Sequence, residues 1–250
     1  MPVKRHRSEN AGLPASIEAA WGLRERPAKG PKPALSLDRI VAAAVGVAAA
    51  EGIGAVSMAR VAKELDSSAM SLYRYVAAKD ELLALMVDAA LGTTPAPADP
   101  DEDWRAGMER WAWTYHDALR RHPWVLRIPI SGPPVTPNQV AWLEQGLAAL
   151  SGTGLTEPEK LSVILLVSGF VRNEATLAAD VAEAAAAAGS EVMPAWGDVL
   201  RRVTDPERFP ALHAALDSPA FVRDDEPDVE FLFGLARVLD GVAALIAGRA

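Results

Sequence analysis

An all-α fold is what this sequence predicts, and three observations predict it. Ala, Leu and Val recur at intervals of three and four, the alternation of a half-buried strand is weak, and clusters of Gly, Pro, Asp and Ser break the apolar segments. A chain of 250 residues, half of them apolar, is long enough for one sizeable core or two smaller ones and too apolar for wholesale disorder. The absence of cysteine removes disulfides, thiol catalysis and thiolate metal sites. No charge-free apolar run reaches membrane-spanning length, and MPVKRHRSEN is not followed by a secretory hydrophobic region. The expectation is a soluble, cytoplasmic chain with no membrane partner.

Residues 1–35 read as a basic, proline-rich arm. They carry 7 basic against 3 acidic residues, with Lys4, Arg5 and Arg7 clustered at the start. Such an arm either reaches into a minor groove of DNA or remains a tail. Within it SIEAAWGLRER has the spacing of one short helix, with Ile17, Ala20, Trp21 and Arg24 on a face that can dock.

Ser36 is a good N-cap for the next helix, Asp38 suits its positive end, and Gly52 supplies the exit. Leu37, Ile40, Val41, Ala44, Val47 and Ala48 form its buried stripe. Ser57 caps a second helix that ends near Leu65. Asp66, Ser67 and Ser68 then favour a turn, because their short side chains compete for the local backbone. A third helix follows from about residue 69 to 76, and a fourth starts near Lys79. Helix, tight turn, helix is one way to place a helix in a major groove. The outward residues Ser68, Ala69, Ser71, Arg74 and Tyr75 include no carboxylate, which suits approach to phosphates and base edges. A helical hairpin in an ordinary core is the other reading.

The charge distribution bears on this choice. Up to Leu91 there are 12 Lys and Arg against 10 Asp and Glu, and beyond it 13 against 23. Electrostatic attraction to phosphate is screened within roughly 10 Å at about 0.1 M salt. A near-neutral amino-terminal module can therefore bind DNA beside an acidic body.

The intervals of LDRIVAAA, EGIGAVSM, SLYRYV and KDELL resemble the amino-terminal domain of the tetracycline-repressor (TetR) family of bacterial regulators, from about residue 36 to residue 91. One departure stands at Asp66 and Ser67, where the family usually has glycine and an apolar residue. Asp tolerates the left-handed conformation that such a turn needs. The resemblance implies a three-helix helix-turn-helix DNA-binding domain over 36–92, then a helical ligand-binding and dimerisation domain over 100–250. It also implies a homodimeric regulator, a repressor released from a palindromic operator by a small-molecule inducer. Ser57, Tyr73 and Lys79 would then contact phosphates, Ser68, Ser71, Arg74 and Tyr75 would reach bases, and Arg60, Ala69 and Met70 would complete the DNA-binding surface.

The turn-rich LGTTPAPADPDED places the domain boundary. Beyond it Trp104, Met108, Trp111 and Tyr115 share one helical face. A row of large aromatics makes either core or the wall of a pocket for an apolar or aromatic effector, and the resemblance implies the pocket. RIPISGPPVTPNQ reads as a loop, and Trp142 lies on the helix after it, from about residue 138 to 150. Thr156 and Glu159 form a capping box for a long, strongly apolar helix. Arg172, Asn173 and Glu174 mark either its emergence from the core or, for Arg172 and Asn173, the effector cavity. By resemblance Trp142, Phe170 and Asn173 join the ligand-binding set. Short helical pieces should follow around EVMPAWGDVLRRVT and RFPALHAAL. The last helix, about residues 228–247, is apolar enough to need covering, and Gly234 and Gly241 would permit close approach. By resemblance, Leu165, Phe231, Leu235, Leu239 and Val242 form a dimer interface.

Enzymatic chemistry has little support. His6, His116, His122 and His213 are scattered, no HExxH or phosphate-binding glycine loop occurs, and the reading is of a non-enzyme with no catalytic residue, metal or cofactor. The alternatives are a helical small-molecule binder or enzyme with a structural first module, and a regulator that activates or answers to a protein partner.

Overall fold

The computed structural model of the chain describes residues 13–23, 35–94, 102–188, 192–218 and 228–249. The basic cluster Lys4, Arg5 and Arg7 and the prolines of the inter-domain linker fall outside them. Among the described residues every regular element is helical, as the spacing predicts. Two compact units form: Met1–Glu102 with Asp117–Ala149, and Asp103–His116 with Leu150–Ala250. This division differs from the expected break near residue 92, because residues 117–149 pack with the amino-terminal helices.

The first unit is built on α2 (Leu37–Glu51), α3 (Met58–Glu64), α4 (Ala69–Tyr73) and α5 (Lys79–Leu91). Ser36 caps α2 by accepting the Arg39 N–H, and Ser57 caps α3 by accepting the Arg60 N–H. Ile40, Ala44, Val56, Val61, Leu72, Val76, Leu82 and Met86 are all fully buried and form the core shared by these short helices. Gly52 leaves α2 with φ 81° and ψ 163°, a region open essentially to glycine alone.

Asp66 makes the turn between α3 and α4 in the left-handed conformation, φ 49°, with the Ser67 N–H bonded to the Ala62 carbonyl at 2.9 Å. A β-carbon there is strained by roughly 1–2 kcal/mol, partly offset because glycine enlarges the unfolded ensemble. Asp66→Gly is therefore expected to raise thermal stability, by about 0.5–1 kcal/mol in a melting experiment. α4 stops sooner than predicted, at Tyr73, and two further bonds to the Leu72 carbonyl, from the Tyr75 and Val76 N–H groups, carry the chain round.

α7 (Pro137–Ala149) is held to α5 by a buried carboxylate. Asp88 accepts the Asn138 and Gln139 N–H groups at 2.8 and 3.0 Å, neutralising the positive end of α7, and Asn138 Nδ2 donates to the Asp88 carbonyl. Residues 13–23 contain the short docked helix that SIEAAWGLRER predicts. This is α1 (Ala15–Ala20), which packs on α2 and α5 with Ser16 and Ile17 buried.

The second unit contains the first part of α6 (Trp104–Arg121), then α8 (Glu157–Ala188), α9 (Val192–Val203), α10 (Pro210–Leu216) and α11 (Val229–Ala247). Of the predicted capping box the carboxylate half is present: the N–H and hydroxyl of Thr156 both donate to Glu159, at 2.9 and 2.8 Å. Arg105 clamps α6 to α11 through Asp240 at 2.9 Å and also pairs with Glu109. Gly234 earns its place, since a β-carbon there would lie 2.5 Å from the Phe170 ring, whereas one at Gly241 would meet nothing. Glu157–Ala187, with mean hydropathy 1.4 in its best window, is long and apolar enough to cross a membrane by length and composition. It is not charge-free: the uncharged run that begins at Leu161 ends at Arg172, with Glu174 beyond it.

Candidate nucleic-acid interface

Each residue expected on the DNA-reading surface falls on α3, α4 or their caps and neighbours. Leu72, fully buried, and Val76 beyond the helix anchor α4 from beneath. That fixing turns Ser68, Met70, Tyr73 and Arg74 outward, and all four are exposed; Met70 retains 76% of its surface and Tyr73 46%. Ala69 and Ser71 are half-buried between them. Ser68 Oγ accepts the Ser71 N–H at 3.2 Å and meets Ser71 Oγ at 2.9 Å, so the hydroxyl pair also caps the helix. Ser57 and Lys79 are exposed at the helix starts that flank this face.

Two expected readers are otherwise engaged. Tyr75 turns back and donates its hydroxyl to the Leu35 carbonyl at 3.0 Å, so its phenol braces the start of α2 instead of projecting outward. Arg60 is half-buried between Glu51 at 2.6 Å and Glu64 at 2.9 Å. Its bonds to Glu51 and Glu64 raise its pKa further, and in return its bond lowers that of Glu51. A guanidinium already shared by two carboxylates offers little net charge to a phosphate.

The expected ligand-binding residues divide between the units. Met108 and Trp111 are buried on α6, while Trp104 and Tyr115 are half-buried, with the Trp111 and Tyr115 rings 5.6 Å apart. Burial raises the Tyr115 phenol pKa, and Arg172, which hydrogen-bonds it, pulls the other way. Phe170 stacks on Phe231 at 5.7 Å. Asn173, by contrast, is exposed on the outer face of α8. Trp142 sits in the first unit, its indole N–H donating to the Gly92 carbonyl at 3.3 Å, where it ties α7 to the end of α5.

The expected dimer residues are corrected by burial. Leu165 is 74% exposed, but Phe231, Leu235, Leu239 and Val242 are covered by their own chain and have no surface left for a partner. The wide apolar stripe of the last helix led the sequence reading to the wrong side of it. Outward apolar residues include Leu161 and Leu166 beside Leu165, and Leu232, Phe233 and Leu245 on α11. A groove of about 360 Å³ runs between these two helices, lined by Val163, Leu166, Val238 and Leu245 among others.

The residues missed by sequence reasoning are Trp113 and His116. They pack against Phe231 at 4.6 and 4.2 Å, the His116 ring stacked, and with Phe170 they make the aromatic centre of the second unit. Their signal in the sequence is a second i, i+3 pair on α6, beside the face of Trp104, Met108, Trp111 and Tyr115.

Residues 40–86 match the family model described as bacterial regulatory proteins, tetR family, and residues 96–246 match the tetracyclin repressor-like C-terminal domain. The HTH-type transcriptional repressor DrrR1 of Streptomyces coeruleorubidus is 39% identical over 246 residues, covering 97% of this chain and 90% of its own. The structure of ActR from Streptomyces coelicolor in complex with (S)-DNPA is 27% identical with a TM-score of 0.71, covering 84% of this chain and 98% of that one. The structure of ActR in complex with actinorhodin is 28% identical with a TM-score of 0.70, covering 87% and 99%. With an anchored recognition helix that turns its polar face outward, and both halves matched, the chain belongs to the TetR family of DNA-binding transcriptional regulators.

Proposed function

We propose that this chain is a homodimeric repressor that binds a palindromic operator through α4 and leaves it when an aromatic small molecule occupies the second unit. The observation that carries the reading is the exposed, carboxylate-free face of Ser68, Met70, Tyr73 and Arg74 on a helix anchored by Leu72. Arg74 offers bidentate donors of the kind that read guanine, Met70 offers an apolar contact of the kind that meets a thymine methyl, and Ser57, Tyr73 and Lys79 suit phosphates. Half-site spacing then follows from the two-fold axis of the dimer.

The aromatic residues of the second unit support the effector class. Trp111, Tyr115 and Phe170 supply flat apolar surface, and the Tyr115 and Arg172 pair supplies an orienting polar edge. ActR, a relative, is bound to the small molecule actinorhodin in its solved structure. Binding weakens DNA affinity only to the extent that the effector prefers the conformation with wrongly spaced recognition helices. The long apolar α8 serves as an interface helix: its inner side packs on α11 and its outer leucines suit a second copy. On this reading the protein acts in the cytoplasm, with DNA, without catalysis.

Arg74→Ala tests the assignment. Operator affinity is expected to fall by about 1–3 kcal/mol, with relaxed preference at one base position and unchanged oligomeric state. Equal affinity for variant and wild type in a titration of a specific duplex would remove Arg74 from base reading.

A further inference from the structure

Helix α1 lies before both family-matched regions, which begin at residues 40 and 96, so the helix-turn-helix architecture does not account for it. It is nevertheless fixed at two places. The Ser16 hydroxyl, buried, donates to Glu81 Oε2 at 2.6 Å, and the same carboxylate oxygen accepts the Ala77 N–H at 3.2 Å. Ala77 and Glu81 straddle the start of α5, where Ala78 provides no side-chain cap. Glu81 therefore holds the corner between the recognition helix and α5, and Ser16 orients Glu81. At its other end α1 is followed by Trp21, whose indole N–H donates to the Val135 carbonyl at 2.8 Å, in the loop that leads into α7.

Burial of Ile17 alone would dock a six-residue helix. The two polar bonds do something more specific: they set its register against segments 65 and 114 residues away in sequence. Both ends sit within the first unit. A shift of the loop before α7 thus pulls on α1, and α1 pulls on the carboxylate that shapes the exit from α4.

We infer that Ser16, Glu81 and Trp21 are positioning residues for DNA reading: α1 is a strap that makes the orientation of the recognition helix and the conformation of residues 128–136 one equilibrium. The inference rests on the regulator reading above for its consequence at the operator. Coupling of this kind is reciprocal, so a disturbance at either end is felt at the other.

Hydrogen exchange on the full-length protein tests it, with Trp21→Phe, Ser16→Ala and Ser16→Thr. Trp21→Phe keeps an aromatic ring and removes the pyrrole half of the indole with its N–H, at a residue that is 41% exposed, so the fold is retained. It is expected to speed exchange at amides 77 and 82, bonded to Glu81 and Ala78 at the start of α5, as well as at 138–140, the first bonded amides after the loop. Ser16→Ala should do the converse, speeding exchange at 138–140 from the far end, and Ser16→Thr should restore the wild-type rate by restoring the hydroxyl. Operator affinity should fall about 5- to 10-fold in Trp21→Phe and Ser16→Ala. Changes confined to the amides nearest each substitution would overturn the strap. The exchange comparison needs no DNA, so it decides the strap even if the wild type binds no duplex, a result that would strike the regulator reading instead.

Discussion

Phe231→Ala is expected to destabilise the second unit by about 3–5 kcal/mol, the range for truncating a large buried aromatic. Phe231 is 3% exposed and makes ring contacts with His116, Trp113 and Phe170 on two other helices. The alanine leaves a cavity that α6, α8 and α11 cannot all close on, because Arg105 pins α6 to α11 through Asp240 and Gly234 already brings α11 against Phe170. Urea unfolding should show the same loss at two protein concentrations. A loss that appears only on dilution would return Phe231 to the dimer interface.

Leu165→Glu should leave the protomer folded and weaken self-association by about 3–5 kcal/mol, the penalty for an uncompensated charge in a buried interface. Leu165 is 74% exposed, so the substitution removes little packing within the chain. Its neighbours Leu161 and Leu166, with Leu232 and Phe233 on α11, make an apolar surface that water would otherwise cover. Sedimentation should show monomers where the wild type gives dimers, with operator binding lost in parallel. An unchanged dimer would move the interface away from α8.

The helix-turn-helix was legible in the sequence because its determinants are local. Ser36, Ser57 and Ser68 are caps, Gly52 takes a conformation reserved for glycine, and Asp66 takes the left-handed turn expected of it. Capping and turn chemistry act within a few residues, so residue type reveals them. What the sequence hid depends on distant partners. Arg60 reads as a free cation until Glu51 is folded beside it, Tyr75 as a base reader until Leu35 is, and Asp88 as an ordinary helix-surface carboxylate until α7 arrives on it. The facing of α11 failed for a related reason: its apolar residues cover more than one side, and periodicity does not say which side meets its own chain.

Selection of random duplex DNA by the purified wild-type protein tests the central claim most directly. A two-fold symmetric consensus is predicted, bound with an affinity that falls steeply with salt and is lost with Leu165→Glu. No enrichment at low salt, from protein shown to be folded and dimeric, would contradict it.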